Sequence, residues 1–399
     1  MINVKPYEKA VEAVSEAFGP ILGTEMISVC DSVGRICAED VASEEDVPCF
    51  DRSTVDGYAV SSAETNAASV AGPSVFDLCG EAVMGEPNIY RAGGGRCVYV
   101  PTGAMLPEGA DAVAMIEDAE RRGKEILLTK PLRVCENVAR KGEDVRRGAA
   151  IVRRGQTIGA GGKGALLAAG ITRISVVTRP SYYVISTGDE LVAPSDPCPV
   201  GKVRDINAEL VHAATPLWNF AGAERCHDDP DALKAAVTRA LNVADIVVMS
   251  GGSSVGTADY TERLFAGFGE VFLHGIAVKP GKPTLAAKCG DKLLIGLPGH
   301  PMAAFSSFKL VFERALVQAA GAEFGNVVFA RAKVNFAGGA GRTCVMPVKL
   351  IAQSDGFFAE PLFYKSGMVS VLAQCDGFAV IPDYEEGVNR GDCLKIYRI

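Results

Sequence analysis

Apolar positions in this chain recur with two different periods, and the switches between them divide it. Tyr7, Ala10, Val11, Val14 and Phe18 return every three to four residues until Gly19-Pro20. That spacing puts them on one stripe of a helix that ends at the Gly-Pro pair. From about Thr24 to Val47 the pattern changes to short strands and turns, and Pro48 opens a further texture. Runs such as Cys97 to Val100, Ala112 to Ile116 and Ile126 to Thr129, separated by Gly, Pro and Glu, predict a mostly β segment up to roughly residue 140. Residues 142–177 return to glycine-rich turns, with a small-residue helix around Lys163 to Ala169.

Beyond this point apolar runs near 182–186, 246–249 and 292–297 alternate with helical patterns near 207–221, 230–242, 258–267 and 301–320. Strands alternating with longer helices predict βαβ units, hence a doubly wound, mostly parallel α/β core. After Gly321 short strands are predicted at Val327 to Val334, Cys344 to Ile351, Gly356 to Phe363, Gly377 to Pro382 and Cys393 to Ile399. A small all-β domain closes the chain.

Composition narrows the function classes. At 399 residues, with 48% hydrophobic and 22% charged residues, the chain is a globular protein of several domains. Its net charge of −8 argues against nucleic acid or an anionic membrane as the main partner. No apolar run approaches the roughly 18 residues of a membrane span, and the N-terminus lacks the apolar core of a leader, so the expected compartment is the cytoplasm. The 12 cysteines are scattered without a C-x-x-C pair, and the four histidines have no zinc-type spacing. The cysteines read as small buried hydrophobes, and neither a structural zinc nor a His-centred triad is expected.

The candidate chemistry lies at the ends of the core strands. After Ile246 to Met249 comes Ser250-Gly251-Gly252-Ser253-Ser254-Val255-Gly256, a Gly/Ser-rich turn before a helix, where free N–H groups and hydroxyls suit a phosphate. Two further strand-to-turn segments carry Thr187-Gly188-Asp189-Glu190 and Pro298-Gly299-His300-Pro301. In parallel sheets such turns share the edge where ligands bind. Asp189 or Glu190 either holds a divalent cation on phosphate oxygens or caps a helix, and Asp259 has the same two readings. Asp229, before Pro230, suits an N-cap and leaves Asp228 free to face a ligand. Val278-Lys279-Pro280-Gly281-Lys282-Pro283 fixes two ammonium groups on a stiff loop, which favours an anion. His300 is either a ligand contact or a cap.

Taken with Asp51 to Val60, Pro101 to Glu117, Gly142 to Asp144 and Asp205 to Asn207, these segments resemble, in order, the molybdopterin molybdotransferase family, the MoeA proteins and the E domain of gephyrin. The resemblance implies insertion of molybdate into adenylylated molybdopterin, with Mg²⁺-assisted release of AMP. It also implies a homodimer, with the site between the α/β domain of one subunit and the β insertion of the other. The corresponding division is a molybdopterin-binding core at 1–24 plus 178–321, a small mixed linker and dimerisation domain at 25–46 plus 141–177, a mainly β insertion at 47–140 and a C-terminal, barrel-like β domain at 322–399. Asp56, Thr102, Asp144, Glu190, Asp228, Asp259 and Lys279 match functional positions of the family. The loop reading adds Lys282, Ser253 and Ser254.

Glu190 and Asp259 are the expected Mg²⁺ ligands, and Lys279 and Lys282 the expected attraction for molybdate and the terminal phosphate. Thr187, Gly188, Ser250, Gly251, Gly252, Ser253, Ser254, Gly256, Pro298, Gly299 and His300 are the expected binding residues for the adenylylated substrate. A transient contact with the molybdopterin adenylyltransferase that supplies this substrate is a further expectation. Arg52-Ser53-Thr54-Val55, His300 and Gly275 depart from the family pattern and bear on oxyanion choice. Two alternatives remain at this stage, a molybdopterin adenylyltransferase and a cofactor-binding scaffold without catalysis.

Overall fold

A computed structural model describes residues 4–251, 258–325, 327–339, 341–364 and 367–399, with only the backbone of Ala258 and Asp259. The opening helix is Tyr7–Phe18 (α1), and the predicted stripe is its buried face. A small unit follows, in which Thr24–Ser28 pairs antiparallel with Arg173–Val177 and Val41–Ala42 pairs with Ala150–Val152. Helix Ala160–Ala168 (α2) contributes the buried Leu166 to its core of Val29, Cys37, Val152, Ile158, Ile174 and Val176. Between these segments lies the β insertion. Its six-stranded sheet runs Ala112–Met115, Gly57–Val60, Arg96–Val100, Ser74–Glu81, Glu125–Leu128 and Ala119–Arg122.

The core sheet is built from Ser181–Thr187 (β1), Asn219–Cys226 (β2), Ile246–Ser250 (β3), Glu270–His274 (β4), Leu285–Cys289 (β5) and Lys292–Leu297 (β6), in the order β2-β1-β3-β6-β5-β4. The first four in that order are parallel, and β5 runs antiparallel to its neighbours β6 and β4. Side chains alternate along each strand, so both faces are covered. Tyr182, Val184, Ile246, Val248, Leu293 and Ile295 share one core with α1. Ile185, Val247, Met249 and Leu294 share the other.

The helices of the core are Asn207–Ala213 (α3), Pro230–Val243 (α4), Ala258–Ala266 (α5), Pro301–Ser307 (α6) and Arg314–Ala319 (α7), with a π-helical stretch at Phe308–Glu313. The helix expected over 207–221 therefore ends at Ala213. Pro216 disfavours helical backbone at Thr215, and the Thr215 hydroxyl donates to the carbonyls of Val211 and His212. The chain then turns to form β2, with Asn219 opposite Ser181.

The C-terminal region closes into a five-stranded barrel. Thr343–Gln353, Gly356–Pro361, Val327–Ala332, Cys393–Arg398 and Gly377–Ile381 pair in sequence, and the last returns to the first. A two-residue strand, Val278–Lys279, pairs with Thr343 and Cys344 and ties the barrel to the core. Among the described residues no helix is long and apolar enough to cross a membrane.

Candidate active site

Strand register decides which turns meet. Ser186 lies opposite Ser250, Ser250 opposite Leu297, and Thr187 opposite Cys226, so β1, β3, β6 and β2 end at one level. Because β2 and β3 flank β1 on opposite sides, the chain diverges there and leaves a crevice at the switch point. A cavity of about 620 Å³ opens at this edge. It is lined by Thr187, Gly188 and Glu190 at the end of β1, Asp228 after β2, Ser250 and Gly251 at the end of β3, and Gly299 and His300 after β6.

The two adjacent aspartates have separate tasks. Asp229 accepts a hydrogen bond from Ala232 N at 2.8 Å and caps α4. Asp228 accepts from the Thr187 hydroxyl, which holds its carboxylate at the cleft. The capping alternative for Asp189 and Glu190 fails, because the chain after them enters the strand Leu191–Val192 and not a helix. Asp189 instead meets His227 Nδ1 at 2.8 Å, and this hydrogen bond holds its carboxyl below the usual range. Glu190 is exposed and faces the cleft.

Several residues of the cleft are not evident in the sequence pattern. Asn207 Nδ2 donates to Ser250 Oγ at 2.7 Å and to Gly299 O at 2.8 Å, tying the turns after β3 and β6 together. Its Oδ1 and the Ser186 hydroxyl are buried at the cleft wall without a partner among the described residues. A buried polar group without a partner is costly, so this wall suits a ligand edge that supplies hydrogen bonds. Asp205 and Arg204 also line the cleft. Only the short Asp205-Ile206-Asn207 segment carried any local signal.

A second cavity of about 270 Å³ adjoins the stiff loop. Lys279 and Lys282 line it from the core side, and Arg342 and Tyr364 from the barrel side. The strand pair at Lys279 and Cys344 brings the barrel residues there. Three cations and no carboxylate stand in its described lining. Burial pushes the Tyr364 phenol up, so it stays a neutral donor, and it raises the Cys344 thiol against the opposing charge of Lys279. Arg342 follows a glycine-rich turn, a weak signal, and Tyr364 had none. Pro298 lines this second cavity and not the cleft.

Other expected residues lie apart. Asp56 accepts hydrogen bonds from Thr102 N at 2.7 Å and Thr102 Oγ1 at 2.9 Å, which hold its carboxyl below the ordinary value. Asp144 is exposed in a turn where its N–H donates to Val47 O at 3.1 Å. Asp56, Thr102 and Asp144 line neither cavity of their own chain. Gly252, Ser253, Ser254 and Gly256 lie outside the described residues, as does the side chain of Asp259.

Fold and site define a multidomain α/β protein with a ligand cleft at the switch point and a barrel-flanked cation pocket beside it. Family models match along the chain: the MoeA N-terminal region (domain I and II) over 5–170, a probable molybdopterin binding domain over 183–318, and the MoeA C-terminal region (domain IV) over 330–399. The molybdopterin molybdenumtransferase of Bacillus subtilis (strain 168) is 31% identical, over 99% of this chain and 94% of its own length. That of Staphylococcus aureus (strain Mu50) is 31% identical, over 92% of this chain and 88% of its own.

Crystal structures of molybdopterin biosynthesis MoeA proteins agree. One from Pyrococcus horikosii has a TM-score of 0.80 at 38% identity, covering 99% of both chains. Another from Pyrococcus horikoshii OT3 has 0.85 at 26% identity, covering both completely. The chain belongs to the MoeA family of molybdopterin molybdenumtransferases.

Proposed function

We propose that this protein is a molybdopterin molybdenumtransferase acting in molybdenum cofactor biosynthesis. It places molybdate on adenylylated molybdopterin and releases AMP. The observation that carries the reading is the adjacency of the two cavities: a cleft of about 620 Å³ with carboxylates on its wall, beside a pocket with three cations. Cleaving a phosphoanhydride needs positioning and charge neutralisation more than a covalent nucleophile.

The donor set of the cleft suits Mg²⁺. Among the described residues no three His, Cys, Asp or Glu side chains gather to hold a metal alone. Mg²⁺ is commonly held by one or two carboxylates together with substrate phosphates. Glu190, with Asp228 at the same wall and Asp259 from α5, would hold it, and bound Mg²⁺ would neutralise phosphate charge. The residues themselves do the remaining work. Thr187 orients Asp228, Asn207 fixes the turns bearing Ser250 and Gly299, and Lys279, Lys282 and Arg342 attract the oxyanion.

We further propose a homodimer built from the four-part division given above. Its support is that Asp56, Thr102 and Asp144 stand outside their own chain's cavities, so a partner's β insertion, with Asp144 of the adjoining linker domain, would bring them to the cleft. Cytoplasmic location and contact with an adenylyltransferase belong to the same reading. The test mixes purified protein with adenylylated molybdopterin, Mg²⁺ and molybdate. AMP should appear, and Glu190→Ala and Asp259→Ala should slow it. No AMP, or equal release by both variants, would overturn the proposal.

A further inference from the structure

Among the described residues His300 alone lines both cavities. It occupies the N-cap position of α6, yet its side chain does not cap the helix. Its carbonyl accepts from Ala304 N at 2.9 Å, which fixes the backbone. The imidazole itself has no hydrogen bond or ion pair to the described residues. An exposed ring without partners among the described residues therefore stands in the wall between a phosphate cleft and a cation pocket.

Imidazole carries nitrogens on two edges, and both donate only when the ring is protonated. On the cleft side Glu190, Asp205, Asp228 and Arg204 share its cavity; on the other side are Lys279, Lys282, Arg342 and the neutral Tyr364 phenol. An oxyanion in the second pocket attracts a charged ring from one edge, and a phosphate in the cleft attracts it from the other. Occupancy then draws a proton onto His300 from solvent, and departure of the anions returns it.

We infer that His300 is a positioning residue that bridges the two bound anions, so that a phosphate in the cleft and an oxyanion in the adjoining pocket tighten each other. This rests on the functional reading above. Linkage requires the effect to be reciprocal. An Asn at this position cannot supply it, because a neutral amide donates from one end only.

The test is calorimetric titration of the full-length protein with molybdate, with and without saturating AMP, at about pH 6 and about pH 8, on either side of the ordinary histidine value. At the lower pH AMP should tighten molybdate binding by about 5-fold or more, the usual lower bound of such coupling. The heat should depend on buffer ionisation, reporting proton uptake, and the coupling should shrink at the higher pH. His300→Asn and His300→Gln should bind molybdate more weakly than the wild type but still measurably, and should lose the coupling and the proton uptake. Equal AMP effects in the wild type and both variants, with binding still abolished by Lys279→Ala, would overturn the bridge alone. Molybdate binding that survives Lys279→Ala would overturn the oxyanion pocket and the bridge with it.

Discussion

Replacing Gly251 with alanine tests whether the close approach of two turns builds the cleft. Gly251 has φ of +123°, and a Cβ placed there would stand 2.1 Å from the carbonyl oxygen of Thr187 and 2.9 Å from its Cγ2. The backbone conformation costs about 1–3 kcal/mol for a residue with a side chain. Forcing the turns apart adds about 1–3 kcal/mol, the usual range for overpacking. Gly290, in the β5–β6 hairpin, is the control. Its φ is +60° and a Cβ there meets no heavy atom within 4 Å, so alanine costs only the left-handed conformation, about 1–2 kcal/mol.

The excess at Gly251 must be relieved by moving Thr187, and the Thr187 hydroxyl holds Asp228. Calorimetric melting should therefore fall further in Gly251→Ala than in Gly290→Ala. AMP affinity, measured by titration, should fall by about tenfold or more in the former, equivalent to about 1.4 kcal/mol, and stay unchanged in the latter. The reasoning is refuted if Gly251→Ala melts no lower than Gly290→Ala and binds AMP like the wild type.

Other expectations follow from neighbouring residues. Asp229→Ala should cost about 1 kcal/mol of stability through loss of a cap while preserving AMP affinity, whereas Asp228→Ala should weaken AMP with little change in melting. Arg342→Ala should weaken molybdate binding and leave AMP binding intact, a separation that titration of each ligand reads directly. Thr102→Val removes one donor to Asp56, so the carboxyl midpoint followed by NMR should move up towards the ordinary value. The sign for stability is fixed by the depressed value in the folded protein. That contribution is present above the unfolded carboxyl pKa and is lost as pH falls through the folded one, so Thr102→Val should show a smaller acid-side loss.

Periodicity alone revealed the α/β core, because strands buried on both faces leave continuous apolar runs between amphipathic helices. It missed β2, since an edge strand with the pattern of Asn219–Cys226 is half exposed and lacks such a run. The paired Asp228-Asp229-Pro230 was legible in detail, because a cap depends on local geometry. The stiff Lys279 to Pro283 loop was legible for the same reason. Asn207, Arg342 and Tyr364 were not, since their roles arise from contacts far along the chain.

By itself, then, the sequence determined strands β1, β3 and β6 and the helices between them, which turns could receive an anion, and the family to which the whole set points. Those properties rest on neighbours a few residues apart. Only the tertiary structure decided that register brings the ends of β1, β2, β3 and β6 to one level, and that pairing of Lys279 with Cys344 brings barrel residues to the loop. It also placed His300 between the two cavities, a position set by packing across the molecule that no local pattern encodes.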